Sequence, residues 1–526
     1  MSATFDAIVI GSGFGGAITA CRLAERGMKV LILERGRRWA AKDYPRRPGD
    51  AWLFNHRAPA QLNGWLEMRF FMNIAVSQAA GVGGGSLAYS SVALEAHPSL
   101  FSNGWPQEIT YGELKPYYDT VARVMNLQTL PDGQLTQRFK LAREAAEKIG
   151  HADRFSKVPL AVSFSEGWNY QLTDPFTPQH SKTFTNAQGQ QQGTCIHLGN
   201  CDIGCDVRAK NTLDLNYVPL AEQHGADVRP LHVVHAVERS NGGYKVVFDR
   251  IERGTLRRGA ETAARVFVAA GSLGSTELLL RCRDEHRTLP GLSAQLGRHW
   301  SANANYLSTA VYAGTDRVQQ SLGPSIASAI DFTDGTEHHE RFVVEDDGFP
   351  NLILNSLRAC LAAGDSAGLG RTLLKQIEEH VSADPNLRNV MVWLGAGMDA
   401  GDGQLSLKRR LFLPWVRDLD LEWNPQHSKG VLEAILDVHR KVTQATGGRL
   451  REPLPGSLFK NMVTLHPLGG CRMGATADEG VVNHLGQVFG YPQLYVVDGA
   501  IAPTATGRNP SHTIAAMAER IAAHVK

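Results

Sequence analysis

The sequence predicts an α/β protein of two domains, of which the first is discontinuous along the chain and the second is an inserted α+β domain. Segments with the same succession of strand, glycine-rich turn and helix occur near both ends of the chain and support this prediction. A strand-like run at 5–10, a glycine-rich turn at 11–16 and a second strand-like run at 29–36 form a β–α–β unit of about 30 residues. The succession of strand, glycine turn and helix returns at 265–282 and at 494–525. Such segments near both ends of the chain indicate one discontinuous domain of Rossmann type.

The length of 526 residues leaves room for roughly two to four domains. The middle of the chain alternates strand-like runs such as 389–397 with helical patterns such as 371–381, and we expect it to bind the substrate. The expected divisions are a cofactor-binding domain at 1–100, 205–300 and 460–526, and a substrate-binding domain at 101–204 and 301–459.

Composition and charge argue against several classes of protein. The 54 Lys and Arg residues nearly balance the 52 Asp and Glu residues, so the charge gives no case for a nucleic acid or an anionic membrane as partner. No stretch of about 20 apolar residues occurs, and the short apolar run at 7–10 leads directly into glycines. We therefore expect no transmembrane segment, no signal peptide and a soluble, cytoplasmic protein.

Gly11, Gly13 and Gly16 form a GxGxxG motif between the first strand and the first helix. The first glycine permits a tight turn, the second lets the backbone approach a pyrophosphate, and the third lets helix and strand pack closely. Glu34 follows Gly11 by 23 residues, at the end of the next strand, where a carboxylate can accept hydrogen bonds from ribose hydroxyls. The alternative is an ordinary strand–turn–helix with a surface glutamate. The full context favours a dinucleotide site.

Two further features favour a bound flavin over a nicotinamide cofactor. A second glycine run, GVGGGSL at 81–87, offers backbone that can lie against an isoalloxazine ring or a pyrophosphate. Near the C-terminus the nucleotide-domain pattern returns with an aspartate at a strand end, which could equally be a helix or turn cap. The cofactor-binding residues expected from these features are Gly83, Gly84, Ser86, Asp498 and Gly499.

Several segments together resemble the glucose–methanol–choline (GMC) family of FAD oxidoreductases, and within it the bacterial cholesterol-oxidase-like branch. The segments that carry the resemblance are GSGFGG (11–16), VGGGSL (82–87), AAGSLGSTELLL (269–280), HPLGGCRMG (466–474) and LYVVDGAIAPTATGRNPSHT (494–513). The resemblance implies FAD, a substrate domain that lies over the flavin, and oxidation of a CH–OH group.

The resemblance also bears on how FAD is held. Family members that tether FAD do so through a histidine near the second glycine run, and no histidine occurs at 81–92. The resemblance therefore implies noncovalent FAD. Cholesterol oxidases carry an asparagine where this chain has Tyr89, so the contacts beside the flavin are expected to differ.

Oxidation of an alcohol requires removal of the hydroxyl proton while a hydride leaves the carbon, and a histidine suits this task near neutral pH. His466, in TLHPLGGC, matches the active-site histidine of the family, which implies that it is the catalytic base. Asn509 matches the second active-site position and would hydrogen-bond the substrate oxygen. The same asparagine suits the start of the last helix as a cap.

Glu345 lies in RFVVEDDGFP, after a strand-like run and before a turn. Its position is similar to that of the acid with which cholesterol oxidases move a proton during double-bond isomerisation, which makes it a third candidate catalytic residue. The alternative is that the three consecutive acids at 345–347 form a solvated turn, and the sequence slightly favours that alternative.

Cys195, Cys201 and Cys205 form a C-x5-C-x3-C cluster. Thiolates at such a spacing in a loop can hold an iron–sulfur cluster, and the motif is similar to one that carries a three-iron cluster in bacterial FAD glucose dehydrogenases of this family. The following segment, 209–217, looks more like the cholesterol-oxidase-like branch, for which we expect no cluster. Packed thiols and a disulfide are alternatives, and a zinc site would need His197 as a poorly spaced fourth ligand.

These observations predict an FAD-dependent oxidoreductase for a hydrophobic, sterol- or terpenoid-like alcohol, with oxygen, a quinone or a carrier protein as electron acceptor. The alternatives are a sugar or polyol dehydrogenase with an iron–sulfur cluster, a flavin isomerase or lyase of the same fold, and a nicotinamide-dependent enzyme. The segment 63–76 is dense in large apolar residues, which favours buried packing over a lid or a shallow membrane contact.

Overall fold

The computed structural model describes residues 4–47, 49–102, 104–314, 317–336, 339–352, 387–409, 417–451 and 462–525. The helix expected at 371–381 lies outside the described residues. The helices within these ranges are α1 (Phe14–Glu25), α2 (Tyr111–Val124), α3 (Gln137–Lys148), α4 (Tyr217–Gln223), α5 (Gly271–Leu280), α6 (Lys429–Ala445) and α7 (Ser511–His524).

The largest sheet holds the segments that the sequence assigns to a Rossmann-type domain. Its strands are β1 (Phe5–Ile10), β2 (Val30–Leu33), β8 (Asp227–Arg229), β9 (His232–Ser240), β10 (Gly243–Glu252), β11 (Thr255–Val268) and β20 (Leu494–Val496). Their order is β8-β2-β1-β11-β10-β9, and β20 pairs with β11. β1, β2, β8, β11 and β20 pair in parallel, whereas β9, β10 and β11 pair antiparallel.

The composition of the central strands explains why they are parallel and buried. β2 is Val-Leu-Ile-Leu and is buried at every position, and β1 is buried everywhere except Asp6. Such strands need cover on both faces, which helices provide. α1 packs against α4 and α7 on this sheet, so the first and last helices of the chain meet beside the first strand.

The second large sheet is antiparallel and lies in the middle of the sequence. Its strands, in spatial order, are β18 (Arg449–Leu450), β12 (Tyr306–Val311), β15 (Val390–Gly397), β14 (Phe342–Asp347), β13 (Ser328–Asp331) and β5 (Phe155–Lys157). α6 packs on β12, β14 and β15. Its buried positions recur three or four residues apart, as in Val431, Ile435, Val438 and Val442, which is the pattern of an amphipathic helix.

A three-stranded sheet connects the two regions. β3 (Leu66–Phe70) and β4 (Ile74–Ala79) form a hairpin, and β19 (Met462–Thr464) pairs in parallel with β4. Trp65 is fully buried in this segment, as its apolar composition predicts, while Met72 at the hairpin turn is 74% exposed. The remaining pairs are β6 (Phe184–Thr185) with β7 (Gln191–Gln192) and β16 (Gln404–Arg409) with β17 (Arg417–Glu422).

The mixed α/β architecture predicted from the sequence is confirmed. The strands of the largest sheet fall within 1–100, 205–300 and 460–526, and those of the antiparallel sheet fall within 101–204 and 301–459. The domain boundaries themselves stay a prediction. Within the described ranges, no helix combines the length and the apolar character that a membrane span requires.

Candidate active site

A cavity of about 850 Å³ lies at the carboxyl ends of the parallel strands. Its wall includes Ile10 at the end of β1, Leu33 at the end of β2, Ala269 after β11 and Asp498 after β20. Ligands of open α/β sheets bind at this edge, because the turns that follow the strands supply backbone amides there.

The first glycine motif forms one wall of this cavity. Gly11 has a φ of +100°, and a Cβ atom there would lie 2.3 Å from the carbonyl oxygen of Ala269, so only glycine fits the turn. Gly13 lines the cavity. Gly16 packs against Gly11 and not against the cavity, which is the close helix–strand packing that the sequence motif implies.

Glu34 follows β2 and lines the cavity with its carboxylate, although the residue is only 5% exposed. One oxygen accepts hydrogen bonds from the Ser12 amide (3.1 Å) and the Ser12 hydroxyl (2.7 Å), and the other accepts from the Gly36 amide (2.9 Å). The oxygen that accepts from Ser12 has no lone pair left, whereas the oxygen that accepts from Gly36 retains one. Glu34 therefore braces the first glycine turn and still has acceptor capacity for a ribose hydroxyl.

The second glycine run packs directly on the first. A Cβ atom on Gly84 would lie 2.5 Å from the Cα atom of Gly13, and Gly84 itself has a φ of +53°. Gly84 lines the cavity, whereas Gly83 and Ser86 lie behind its wall. The Ser86 hydroxyl donates to the Gly83 carbonyl (2.7 Å) and accepts from the Leu213 amide (3.0 Å). Both residues hold the run in place from behind.

Asp498 caps two chain segments at once. One carboxylate oxygen accepts from the Gly271 amide (2.8 Å) and the Ser275 hydroxyl (2.5 Å), and the other accepts from the Ala500 amide (2.9 Å). The capping role that the sequence left open is therefore present. Asp498 and Gly499 also line the cavity, so a contact with a cofactor is compatible with the capping.

Three helices begin at the cavity, namely α1, α5 and α7. None has an acidic residue in its first turn, and none is capped by the side chain of its own N-cap residue, although Asp498 accepts from the first amide of α5. The amino ends of helices carry partial positive charge and free amide donors, which bind phosphates and other anions. Together with Glu34 and the glycine runs, this set of donors and acceptors fits the diphosphate and the ribose of FAD.

His466 lies just after β19, on the cavity wall, and its imidazole is held by Asn305. The Asn305 oxygen accepts from the Leu465 amide (3.3 Å) and the Thr464 hydroxyl (2.9 Å), so the Asn305 nitrogen must face His466 Nδ1, at 3.0 Å. An amide nitrogen only donates, so Nδ1 accepts and the proton of the neutral ring sits on Nε2. Burial lowers the pKa of His466 to about 4, which keeps the ring neutral at pH 7.

Asn509 lies two residues before α7 and lines the same cavity as His466. Its Nδ2 atom donates to a carboxylate oxygen of Glu345 at 3.2 Å. The Asn509 Oδ1 atom and the Glu345 Oε1 atom are both buried, and neither has a hydrogen-bond partner among the described residues. Unpaired buried polar atoms are costly. Asn509 lines the cavity, so its Oδ1 atom marks a place for a polar group of a ligand, whereas Glu345 lies behind the wall.

Glu345 is fully buried within β14, and Asp346 beside it is 1% exposed. The interpretation of 345–347 as a solvated turn is therefore wrong. The strand continues to Asp347, and antiparallel pairing on both sides takes the backbone polar groups. Burial raises the pKa of Glu345 to about 8, and the hydrogen bond from Asn509 acts in the opposite direction.

Tyr89, which stands where cholesterol oxidases carry an asparagine, also lines the cavity. Its ring meets Phe14 edge-on, with centroids 5.5 Å apart, and the Lys210 ammonium lies 5.0 Å from the ring centroid. The hydroxyl is buried without a partner in the described part of the chain. The cavity wall beside the second glycine run is thus aromatic at this position.

Cys195, Cys201 and Cys205 lie near one another as free thiols. Burial raises the pKa of Cys201 to about 11 and that of Cys195 well above its ordinary value, so both are protonated at pH 7. His197 uses both ring nitrogens in contacts with Tyr170 and Gln134. In the ranges that the structure describes, no group of three or more such side chains has an arrangement that could hold a metal ion. The role of the three cysteines stays a prediction.

Sequence reasoning missed Asn305, because an isolated asparagine outside any motif carries no signal. It also named only the first helix as a phosphate-binding terminus. The glycine turn before α5 and the Asn-Pro pair before α7 could have identified the other two.

Comparisons with known proteins bear on this site. A family model described as GMC oxidoreductase matches residues 403–518, and one described as NAD(P)-binding Rossmann-like domain matches residues 9–64. A cholesterol oxidase of Mycobacterium tuberculosis is 30% identical, over 99% of this chain and 91% of that protein, and one of Acinetobacter baumannii is 29% identical, over 99% and 94%. The solved structure of a fungal aryl-alcohol oxidase superposes with a TM-score of 0.62 at 14% identity, over 99% of both chains.

These relatives span nearly the whole chain, and the family match covers the segment that carries both His466 and Asn509. The fold, the two glycine runs and the polar groups at the cavity agree with that match. The chain therefore belongs to the glucose–methanol–choline (GMC) family of FAD-dependent oxidoreductases.

Proposed function

We propose that this protein oxidises the CH–OH group of a hydrophobic, sterol- or terpenoid-like alcohol, with noncovalently bound FAD as the hydride acceptor. The observation that carries the proposal is the group formed by His466, Asn509 and Glu345 at one cavity. His466 and Asn509 lie on the wall, and Glu345 contacts Asn509 from behind it.

The apolar lining beside these groups supports a hydrophobic substrate. A cavity lined by hydrocarbon side chains with few polar groups binds an apolar skeleton and orients one polar atom of it. Two of the relatives named above are cholesterol oxidases, which agrees with such a substrate. The apolar residues in this part of the wall are Val92, Ile326, Leu394, Leu465 and Pro467.

The unpaired atoms suggest how the alcohol is held. The tautomer favoured by Asn305 gives His466 an Nε2 proton, which would be donated to the alcohol oxygen. The free Asn509 Oδ1 atom would accept from the hydroxyl of the bound substrate and orient it, before the proton passes on to Glu345. These two contacts would fix the carbon that loses the hydride, and correct placement of reacting atoms contributes much of the rate of such reactions.

The hydroxyl proton also needs an acceptor. The sequence assigns this role to His466, but an imidazole with its proton on Nε2 has no lone pair on that nitrogen, and its other nitrogen, Nδ1, already accepts from Asn305. Glu345 has an unpaired oxygen, Oε1, and a pKa of about 8, which suits a base that works near neutral pH. The hydrogen-bonding pattern therefore favours Glu345 as the proton acceptor and His466 as the donor to the substrate oxygen.

FAD would be held by Glu34 at the ribose and by the amides of α1 and the glycine runs at the diphosphate. The residues along the second glycine run that line the cavity are Gly84, Gly85, Ala88, Tyr89 and Ser90. None is a histidine or a cysteine, which supports noncovalent attachment. Acid precipitation of the purified protein should leave FAD in the supernatant, and flavin retained by the precipitate would contradict this part of the proposal.

Anaerobic reduction of the bound flavin tests the reaction itself. Sterols, terpenoid alcohols, sugars and the corresponding ketones would be added separately to the holoenzyme while the absorbance near 450 nm is recorded. We expect bleaching by an apolar alcohol and none by its ketone. Bleaching by sugars alone would overturn the hydrophobic substrate, and a flavin that no alcohol in the panel reduces would overturn the proposed reaction.

A further inference from the structure

The segment 301–305 contacts both His466 and the turn that precedes Asn509. Its backbone is held in place by the carboxylate of Asp399. One Asp399 oxygen accepts from the Ser301 hydroxyl (2.6 Å), and the other accepts from the Ala302 amide (2.8 Å) and the Ala304 amide (3.3 Å). These three hydrogen bonds to one carboxylate fix the backbone of the segment, independently of the contacts that its asparagine side chains make with the site.

The backbone of the segment is left-handed at two consecutive residues. Asn303 has a φ of +54° and Ala304 a φ of +41°. Asparagine tolerates this region, but alanine rarely adopts it, so such a conformation persists only where the surroundings enforce it. Because of this left-handed backbone, the side chains of the two asparagines on either side of Ala304 point to different parts of the site. Asn305 faces His466, and Asn303 faces the turn that precedes Asn509.

Both polar atoms of the Asn303 side chain make their hydrogen bonds to that turn. Its oxygen accepts from the Thr506 amide (2.9 Å), the Gly507 amide (3.0 Å) and the Thr506 hydroxyl (3.2 Å). Its nitrogen donates to the carbonyl of Arg508 at 2.8 Å. The residue is completely buried, so water cannot replace these contacts, and the turn depends on this one carboxamide.

The turn ends at Asn509, whose Nδ2 atom donates to Glu345. A shift of the turn would therefore move the only hydrogen bond that the described residues make to the Glu345 carboxyl. The other acidic groups that interact electrostatically with that carboxyl are Asp346 and Asp347 on its own strand and Asp331 on β13. None of these three makes a hydrogen bond with Asn303, but Asp331 pairs with the Arg508 side chain, and Arg508 belongs to the turn. A change at Asn303 therefore reaches Glu345 directly through Asn509 and also through the ion pair of Arg508 with Asp331.

We propose that Asn303 is a positioning residue, which fixes the turn at 506–508 and so places Asn509 against Glu345. The proposal rests on the proposed function, in which Asn509 and Glu345 hold the alcohol and take its proton. It assigns Asn303 no contact with the substrate. Asn303 and Asn305 then act as a pair, because one backbone segment orients Asn509 through the first and His466 through the second.

The test is the Asn303→Ala holoenzyme, studied by kinetics and by infrared spectroscopy. Loss of the Asn509 contact removes the interaction that lowers the pKa of Glu345. We expect the carboxyl band of protonated Glu345, assigned by its absence in Glu345→Gln, to persist to a pH higher by about one unit. We also expect kcat to fall by about tenfold to a hundredfold, while KM changes by less than about threefold.

Asn389→Ala is the matched control. Asn389 is 3% exposed and holds a loop in the same manner, since it accepts from the Arg317 amide (2.8 Å) and donates to the Gly314 carbonyl (2.7 Å). It makes no contact with the candidate site. We expect this variant to lose thermal stability and to keep both the wild-type kcat and the wild-type titration of Glu345.

Thr506→Val is a milder variant, for the case in which Asn303→Ala does not fold. It keeps the shape of the side chain and removes its hydroxyl contacts to Asn303 and to the Arg508 carbonyl. We expect a smaller shift of the same sign. A Glu345 titration that is unchanged in both variants would overturn the proposal, even if activity falls. The infrared measurement needs no turnover, so a failure of the proposed reaction would be seen separately, in the flavin reduction.

Discussion

Glu345 and His466 illustrate how removal of water sets the chemistry of single residues. Burial disfavours the charged form of each side chain, so it raises the pKa of the glutamic acid to about 8 and lowers the pKa of the histidine to about 4. Between these values both groups are neutral. In the proposed reaction, the neutral imidazole would donate a hydrogen bond to the substrate oxygen, and Glu345 would act as a base once it has lost its proton.

This assignment predicts the pH dependence of the reaction. Below about pH 8 the base is protonated, so kcat/KM should rise about tenfold per pH unit and level off above that value. Glu345→Gln should remove this rise and lower the plateau by a factor of about 100 to 10,000. The measurement is kcat/KM against pH with an alcohol that reduces the flavin.

His466→Gln serves as the comparison. It should lower kcat/KM at every pH and keep the rise that ends near pH 8. A rise that ends near pH 4 in the wild type and disappears in His466→Gln would instead identify the histidine as the base, since its pKa is about 4.

At the scale of secondary-structure elements, the cofactor wall depends on contacts between turns that are far apart in sequence. The two glycine runs touch at Gly13 and Gly84, and Ser12 links both of them to Glu34 through its hydroxyl. The amino ends of α1, α5 and α7 also form part of this wall. A side chain added where the two runs touch must displace one of them, which would move the amides of α1.

Gly84→Ala should therefore weaken FAD binding. Its Cβ atom would lie 2.5 Å from the Cα atom of Gly13, and a φ of +53° is unfavourable for alanine. We expect the purified variant to contain less FAD, with a Kd for FAD raised by about tenfold or more. The ratio of absorbance at 450 and 280 nm, followed by titration of the apoprotein, measures both.

Gly133→Ala is the control for this variant, because a Cβ atom at Gly133 meets nothing within 4 Å. It should keep the wild-type FAD content. Equal FAD content in Gly84→Ala and the wild type would mean that the two runs can separate without loss of the site.

At the scale of the whole molecule, buried histidines couple folding to pH. The pKa values of His197 and His439 are lowered to about 3, and that of His466 to about 4, by burial. A histidine whose pKa is lower in the folded state binds fewer protons there than in the unfolded chain. The free energy of unfolding therefore falls as the pH decreases from about 6.5 towards these values.

His439 offers a test away from the candidate site. It is fully buried in α6, with Nδ1 close to the Ser308 hydroxyl (2.8 Å) and no partner for Nε2 in the described part of the structure. At pH 5, the lowered pKa of His439 reduces the free energy of unfolding by about 2 kcal/mol. His439→Gln should therefore show a smaller fall in Tm between pH 7 and pH 5 than the wild type, by about 2 °C.

His224→Gln, at an exposed position, is the control and should follow the wild type. Identical falls in Tm for His439→Gln and the wild type would show that His439 does not contribute to the acid sensitivity of the fold. Scanning calorimetry at the two pH values provides the comparison.

The sequence by itself determined the features that depend on local backbone geometry. The β–α–β unit, the GxGxxG turn and the glutamate after β2 were all predictable, because strand, tight turn and helix each demand particular residues at short spacing. The start of α7 after Asn509 and Pro510 was predictable for the same reason, but the expected cap by Asn509 was wrong, because its Oδ1 atom has no partner among the described residues. The resemblance of the motif-bearing segments then supplied the family, which the relatives confirm.

Only the tertiary structure decided which of the candidate residues meet and in which protonation state. From the sequence, Glu345 could belong to a solvated turn. The structure instead places it in a strand that pairs with β13 on one side and β15 on the other. The tautomer of His466 follows from Asn305, which is 161 residues away in sequence, and the contact of Asn509 with Glu345 spans 164 residues. Burial and hydrogen-bond partners arise from such distant contacts. They cannot be predicted from a pattern of residues that are neighbours in the sequence.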